Sequence, residues 1–336
     1  MKKAVLFQSE RRFDAFHKYL YMNNYSVVVL DFKKLEWITY DYSDVDLIIY
    51  FPNFLFSSNS PVALSFVQDN LFSISKKFPN IKMFPDPNGI QYYSDKYRQF
   101  LFLKNTNLPI IPTIPLLSYD MLKMSIKTFN FPLIIKNRYG AGGDYVYFVR
   151  NKNELFGLYR QSTMDLLNFN FFKETLRAIL TREWWWFALK AKNIKYPFLS
   201  FPLLVQKFVE HDSDLKTVVG NNKVVEAHWR RSGDMNMWKM NIDGGGIGEW
   251  SYVPDEPIKI SEKLSELLST KWLNIDFMVS GDKFLISEFS PAWHHYEYKE
   301  KDSFVYKDNY NIKMPLEESL NLEKMIVESF NKDIDN

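Results

Sequence analysis

The sequence has no cysteine, which removes disulfides, thiol nucleophiles and zinc–thiolate sites at once. It also has little net charge. Forty-two basic against 40 acidic residues leave +2, so no nucleic-acid groove held by bulk charge is expected. Glycine is scarce at 12 residues, and no Gly-x-Gly-x-x-Gly follows the first apolar run, so a dinucleotide fingerprint is missing. Long apolar runs are lacking too. The longest, Leu47 to Phe56, is broken by Pro52 and Asn53 and is too short to span a bilayer. Ala4-Val5-Leu6-Phe7 meets Glu10-Arg11-Arg12 too early for the core of a signal peptide. The expectation is a cytoplasmic protein without a transmembrane segment.

Aromatic residues are plentiful, at 17% of 336 positions, within an ordinary globular balance of 46% hydrophobic and 24% charged residues. The length suits two or three compact units. Short β-branched runs at Ala4–Phe7, Ser26–Leu30 and Val45–Tyr50 alternate with a helical pattern over Arg12 to Asn23, which predicts parallel βαβ units over residues 1–90. Pro85-Asp86-Pro87-Asn88-Gly89 marks a boundary. Residues 91–128 read as a helix, capped by Ser94 and reaching about Lys104, followed by a connector held extended by Pro109, Pro112 and Pro115.

Phe131–Lys136 and Tyr145–Val149 read as a hairpin around the glycine-rich tip Gly140-Ala141-Gly142-Gly143. Residues 157–200 form an aromatic segment centred on Trp184-Trp185-Trp186, which cannot all share one helical face. An exposed aromatic patch there suits a large acceptor, a membrane surface or a homodimer mate; packing on its own domain is the plainer use. Strands follow at Leu203–Val209, Lys216–Gly220 and Lys223–Trp229, then a second glycine cluster at 244–248. A helix begins at Ser261, a strand pair covers Asn274–Met278 and Phe284–Phe289, and Leu316–Asn331 has the pattern of a terminal helix.

Chemistry concentrates in a few places. Asp276 and Glu288 are twelve apart in two apolar runs joined by the turn Gly281-Asp282, so strand pairing brings both carboxylates to one face. Adjacent carboxylates repel unless a proton or a cation lies between them, and an oxygen-only site suits Mg²⁺; two solvated strand-end acids are the alternative. Lys136 ends an apolar strand just before the glycine tip, where backbone N–H groups and a point charge can meet a phosphate. Alternation puts Glu226, His228 and Arg230 on one strand face, and Arg230-Arg231 suits carboxylate or phosphate binding.

In sequence order these pieces resemble the ATP-grasp superfamily, most closely its RimK-type carboxylate–amine ligases, over roughly residues 85 to 292. Asp95-Lys96 is similar to the first nucleotide lysine, and Pro132-x-x-x-Lys136 with Gly140, Gly142 and Gly143 to the second lysine and the phosphate-covering loop. Gln206-Lys207-Phe208-Val209 resembles the hinge that pairs with adenine, and Asp214-Leu215-Lys216 stands at the Asp-x-Arg step. Arg230-Arg231 through Trp238-Lys239-Met240-Asn241 to Gly244-Gly245 has the spacing of the Arg-Arg…Phe-Arg-x-Asn…Gly-Gly segment. Asp276, Glu288 and Ser290 stand at the metal-ligand positions. The sequence departs from that pattern with Ser290 for Asn, Lys207 for Glu, Lys216 for Arg, and Pro291 to Tyr296 in place of a small glycine-containing end.

The resemblance implies an α/β architecture, α+β in its ATP-grasp part. An N-terminal parallel-sheet platform would precede two ATP-grasp subdomains, residues 129–209 and 210–336, with the nucleotide between them. It implies ATP and Mg²⁺, or Mn²⁺ in its place, and an amide bond formed through an acyl phosphate with release of ADP and phosphate. Arg230, Lys216 and Asn241 would serve the reacting groups. A small-molecule, peptide or sugar carboxylate would be the acceptor and an amino acid the amine. A kinase and a catalytically silent ATP-binding module share the same nucleotide half and stay open at this point.

Overall fold

A computed structural model describes residues 1–9, 12–51, 61–140, 145–163, 176, 180, 202–232, 240, 246–249, 251–291 and 321–335. In chain order the elements are β1 (Lys3–Phe7), α1 (Phe13–Met22), β2 (Ser26–Leu30), α2 (Glu36–Thr39), β3 (Leu47–Ile49), α3 (Pro61–Lys77), β4 (Lys82–Phe84) and α4 (Pro87–Ile90). Then come α5 (Lys96–Lys104), β5 (Thr113–Leu116), α6 (Tyr119–Thr128), β6 (Leu133–Lys136), β7 (Val146–Val149), α7 (Lys152–Thr163) and β8 (Leu203–Lys207). The remainder are β9 (Ser213–Gly220), β10 (Lys223–Arg231), β11 (Ile247–Glu249), α8 (Asp255–Leu268), β12 (Trp272–Ser280), β13 (Lys283–Ser290) and α9 (Leu322–Asp335). The chain divides into two units. One comprises Met1–Tyr93, Thr106–Ile110 and His211–Asn336; the other comprises Ser94–Asn105 and Ile111–Glu210.

In the first unit β1 to β4 form a parallel sheet in the order β2-β1-β3-β4. Its strands are apolar on both faces, as covered parallel strands are. Ala4, Leu6, Leu47 and Ile49 pack on Phe16 and Leu20 of α1 and on Leu322, Ile326 and Phe330 of α9. Val5, Phe7 and Ile48 pack on Trp37, on Val67 and Leu71 of α3, and on Ile90. The same unit contains a five-stranded antiparallel sheet in the order β11-β10-β9-β12-β13. One face of this sheet packs on α8, where the buried Thr217 and Ser261 hydroxyls meet at 2.7 Å.

The second unit is built on an antiparallel sheet in the order β5-β8-β6-β7. Leu133, Ile135, Leu203 and Val205 face a core completed by Leu122 of α6 and Leu155 of α7. The proline-rich connector is not wholly extended coil: Thr113 to Leu116 forms an edge strand. An edge accepts Pro115, whose missing N–H costs no ladder bond on the outer side. The cap of α5 is Asp95 rather than Ser94, since the Asp95 carboxylate accepts from the Arg98 amide at 3.0 Å. The terminal helix starts later than its sequence pattern, at Leu322, and runs to Asp335; residues 316–320 lie outside the described residues.

Candidate active site

Register decides what the five-stranded sheet can do. Asp276 lies directly opposite Glu288, and Asn274 opposite Ser290, so all four side chains share one face. A bulge at Ser287 lets the carboxylates meet, because Phe277 already pairs with Ile286. On the other side Asp276 pairs with Lys216, which pairs in turn with His228, while Asp214 pairs with Arg230. The face opposite α8 therefore carries Asp214, Lys216, Glu226, His228, Arg230, Asn274, Asp276, Glu288 and Ser290.

These groups form a connected network. Arg230 donates to both Asp214 oxygens, Nε to Oδ1 at 2.6 Å and Nη2 to Oδ2 at 2.9 Å, with both residues buried. Its Nη2 also lies 3.4 Å from Asp276 Oδ2. Lys216 Nζ is 3.6 Å from Asp276 Oδ1. With the Asn274 amide turned to satisfy both its ends, Lys216 donates to its oxygen at 2.8 Å and its nitrogen donates to the Ser290 carbonyl at 2.8 Å. His228 Nδ1 and Glu226 Oε1 are 2.5 Å apart in the buried interior.

Two carboxylates that share Arg230 respond oppositely. Burial pushes the Asp214 carboxyl above its ordinary value, with the Arg230 charge working against it. Burial works upward on Asp276 as well, but Arg230, Lys216 and His228 together outweigh it and hold it at about 2.

The donors fit a hard divalent cation. Asp276 Oδ1 is buried and makes no hydrogen bond; Lys216 Nζ stands 3.6 Å away, so a metal cation would supply the direct contact this oxygen lacks. Among the described residues of this face, four carboxylates, Asp214, Glu226, Asp276 and Glu288, stand with two fixed cations, Lys216 and Arg230. Among the described residues no cluster of three or more His, Cys, Asp or Glu could hold a metal. Two carboxylates plus a hydroxyl nonetheless suit Mg²⁺, which keeps several waters and phosphate oxygens for itself.

The second unit holds the other predicted side chains. Lys136 ends β6 and is buried; Lys96 opens α5, buried as well, and donates to the Gly140 carbonyl. Gly140 has φ +132°, a conformation that only glycine adopts without strain. Gln206 is buried in β8 and donates to Thr113 Oγ1 at 3.0 Å, and Lys207, exposed, donates its amide to the Pro112 carbonyl at 3.1 Å. Phe208 meets Phe148 edge to face, and Val209 is buried. Gly142, Gly143, Asn241, Trp184 to Trp186 and Trp293 to Tyr296 lie outside the described residues.

Two residues and one contact were not expected in these roles. Asn274 orients Lys216, and its one sequence signal is a lone amide two positions before Asp276 in an apolar run. Arg138 binds Asp95 across 43 positions, a pairing with no local signature. The Glu226–His228 contact is half legible, because alternation puts the two on one face but says nothing of their hydrogen bond.

These two antiparallel sheets have the fold of solved ATP-grasp proteins. Solved structures share it. D-alanine–D-alanine ligase from Bacillus anthracis complexed with ATP superimposes with a TM-score of 0.59 at 14% identity, covering 100% of this chain and 98% of that one. A RimK domain ATP-grasp protein from Sphaerobacter thermophilus gives 0.54 at 10% identity, covering 85% and 90%. By sequence the chain is similar to tetrahydromethanopterin:alpha-L-glutamate ligase of Methanocaldococcus jannaschii, 27% identical over 209 residues, 62% of each chain. It is also similar to the MG012 homolog of Mycoplasma pneumoniae, 23% identical over 238 residues, 68% of this chain and 62% of the relative. The chain thus spans less than two thirds of the length of these two relatives. No family model matches it. Among the described residues no helix is long and apolar enough to cross a membrane.

Proposed function

We propose that this protein is an ATP-dependent carboxylate–amine ligase. The observation that carries the reading is the opposed pair Asp276 and Glu288, with a buried carboxylate oxygen lacking any hydrogen bond, on a face where carboxylates outnumber fixed cations among the described residues. The fold and the glutamate-ligase relative support it.

A carboxylate is a poor electrophile, and phosphorylation by ATP gives it a leaving group. The acceptor oxygen attacks the γ-phosphorus, ADP departs, and the amine nitrogen then attacks the acyl carbon. The carbon–oxygen bond to phosphate breaks and the nitrogen loses a proton. Lys96 and Lys136 offset the phosphate charge in this scheme, as positioned cations do in phosphoryl transfer. Asp276, Glu288 and Ser290 would hold Mg²⁺, which when bound neutralises phosphate oxygens. Gln206 to Val209 meet the adenine. Arg230 is already held by Asp214, so its part is to fix the charges around Asp276 as much as to meet the acyl phosphate. Lys216 and Asn241 serve the reacting groups. An amino acid is the amine and a small-molecule, peptide or sugar carboxylate the acceptor, in a cytoplasmic setting.

The test is Mg²⁺-dependent ADP release with a panel of carboxylates, with and without pooled amino acids. Release that requires both a carboxylate and an amine supports the ligase. Release without amine, leaving a stable phosphoester, makes it a kinase. ATP binding without release in any combination makes it a silent nucleotide-binding module.

A further inference from the structure

Asp95 and Arg138 form a two-pronged ion pair in the second unit. Arg138 Nε lies 3.1 Å from each Asp95 oxygen, and Nη2 donates to Oδ2 at 2.7 Å. The Asp95 side chain is 5% exposed, so the pair is largely desolvated and its geometry well fixed. The same carboxylate caps α5 through the Arg98 amide. Around this contact Lys96 N donates to the Arg138 carbonyl at 2.9 Å, and Asp95 and Tyr139 form an antiparallel bridge. The Arg138 guanidinium also lies 5.6 Å from the Tyr97 ring and 4.9 Å from the Tyr139 ring.

The location gives the pair a purpose beyond packing. Asp95 immediately precedes Lys96, and Arg138 follows Lys136 by two positions. The two lysines lie forty positions apart on different elements, a helix start and a strand end. A lysine side chain is a flexible point charge whose value to a polyphosphate depends on where its backbone is held. The fork between Asp95 and Arg138 is a side-chain link between those two backbones, beside the bond from the Lys96 side chain to the Gly140 carbonyl.

We propose that Arg138 is a positioning residue for a nucleoside triphosphate: paired with Asp95, it clamps the start of α5 to the end of β6 and sets the spacing of Lys96 and Lys136. The proposal rests on the reading of those lysines as phosphate ligands given above. It goes beyond that reading by assigning to a residue that touches no phosphate the discrimination between phosphorylated and bare nucleoside.

The experiment is calorimetric titration of the full chain and of Arg138→Gln and Arg138→Lys with Mg²⁺-ATP, and with adenosine as a phosphate-free probe. The clamp predicts that Arg138→Gln weakens ATP binding ~10-fold while adenosine affinity stays within about twofold. Arg138→Lys, which keeps the charge but loses the fork, should fall between, and it serves alone if the glutamine variant does not fold. Equal losses for ATP and adenosine would mean a merely structural pair and overturn the proposal, as would unchanged ATP affinity. If the unsubstituted protein binds no ATP, the ligase reading fails and takes the clamp with it. If it binds ATP and the variants match it, only the clamp fails.

Discussion

The two antiparallel sheets carry their functional groups in contrasting ways. On the four-stranded sheet, Lys136 and Gln206 share a face with Ile134 and Leu204, and each lies opposite an apolar partner: Lys136 opposite Leu204 and Gln206 opposite Ile134. The polar groups are spaced out by hydrocarbon. On the five-stranded sheet, the polar face is continuous across β10, β9, β12 and β13, and Asp214, Arg230, Asp276 and Lys216 hold one another by charge. Groups set opposite apolar partners are tied to one another less than groups in a charged network. Networked groups maintain the fold and the site together.

The largest expected effect breaks the network. Asp214→Ala leaves the buried Arg230 guanidinium without its fork and should lower the free energy of unfolding by about 3–5 kcal/mol. Urea denaturation measures this. Lys136→Met, by contrast, should cost clearly less, about 1–2 kcal/mol, because its cross-strand partner Leu204 is apolar and the substitution keeps a chain of similar length. Equal stability losses at the two sites would dissolve the distinction between the sheets.

Next comes the chemistry itself. Glu288→Gln keeps shape and strand pairing but removes one of the opposed anions, and Mg²⁺-dependent ADP release should fall at least ~10²-fold. A smaller fall would mean that Asp276 and Ser290 suffice. Lys136→Met should raise the dissociation constant for ATP ~10-fold without altering the Mg²⁺ requirement, which a titration at two Mg²⁺ concentrations separates. If the metal requirement shifts as well, the two sheets are less independent than their networks suggest.

The same contrast governs what could be read from the sequence. Groups set among apolar residues leave local marks: Lys136 closes an apolar run before glycines, and Gln206 sits in the strand Leu203 to Lys207. Asp276 and Glu288 were legible as acids in two apolar runs joined by the turn Gly281-Asp282, although that turn, with Ser280 paired to Lys283, would by itself set Asp276 opposite Ser287. The network was not, because it needs the register of two further strand pairings and two bulges, at Val225 and Ser287, that no periodicity announces. Helix α3 was obscured for a related reason. Val67 and Leu71 define its buried stripe, but Phe66 and Phe72 are exposed and blur the pattern. Asp95 was legible beside Lys96 at a helix start, but its place as cap and as partner of Arg138 depends on Ser94 taking φ +55° and on a residue 43 positions away.

The smallest effect sharpens the comparison by using the other face of the five-stranded sheet. Thr217 and Ser261 are fully buried, their hydroxyls 2.7 Å apart, and Ser261 Oγ donates to the Pro257 carbonyl at 2.7 Å. That leaves Thr217 as the donor between them. Thr217→Val is nearly isosteric and removes that donor; Ser261→Ala removes the acceptor and leaves a buried hydroxyl unsatisfied. Each single change should cost about 1–2 kcal/mol. The double variant should cost about 1 kcal/mol less than the sum, since the bond between the two hydroxyls is lost in each single change but only once in the double. ATP affinity should not move in any of the three, because Thr217 points toward α8 and away from Lys216 and Asp276. A shift in ATP affinity of several-fold would mean that the two faces of the sheet are coupled, and that the charged network responds to packing on α8.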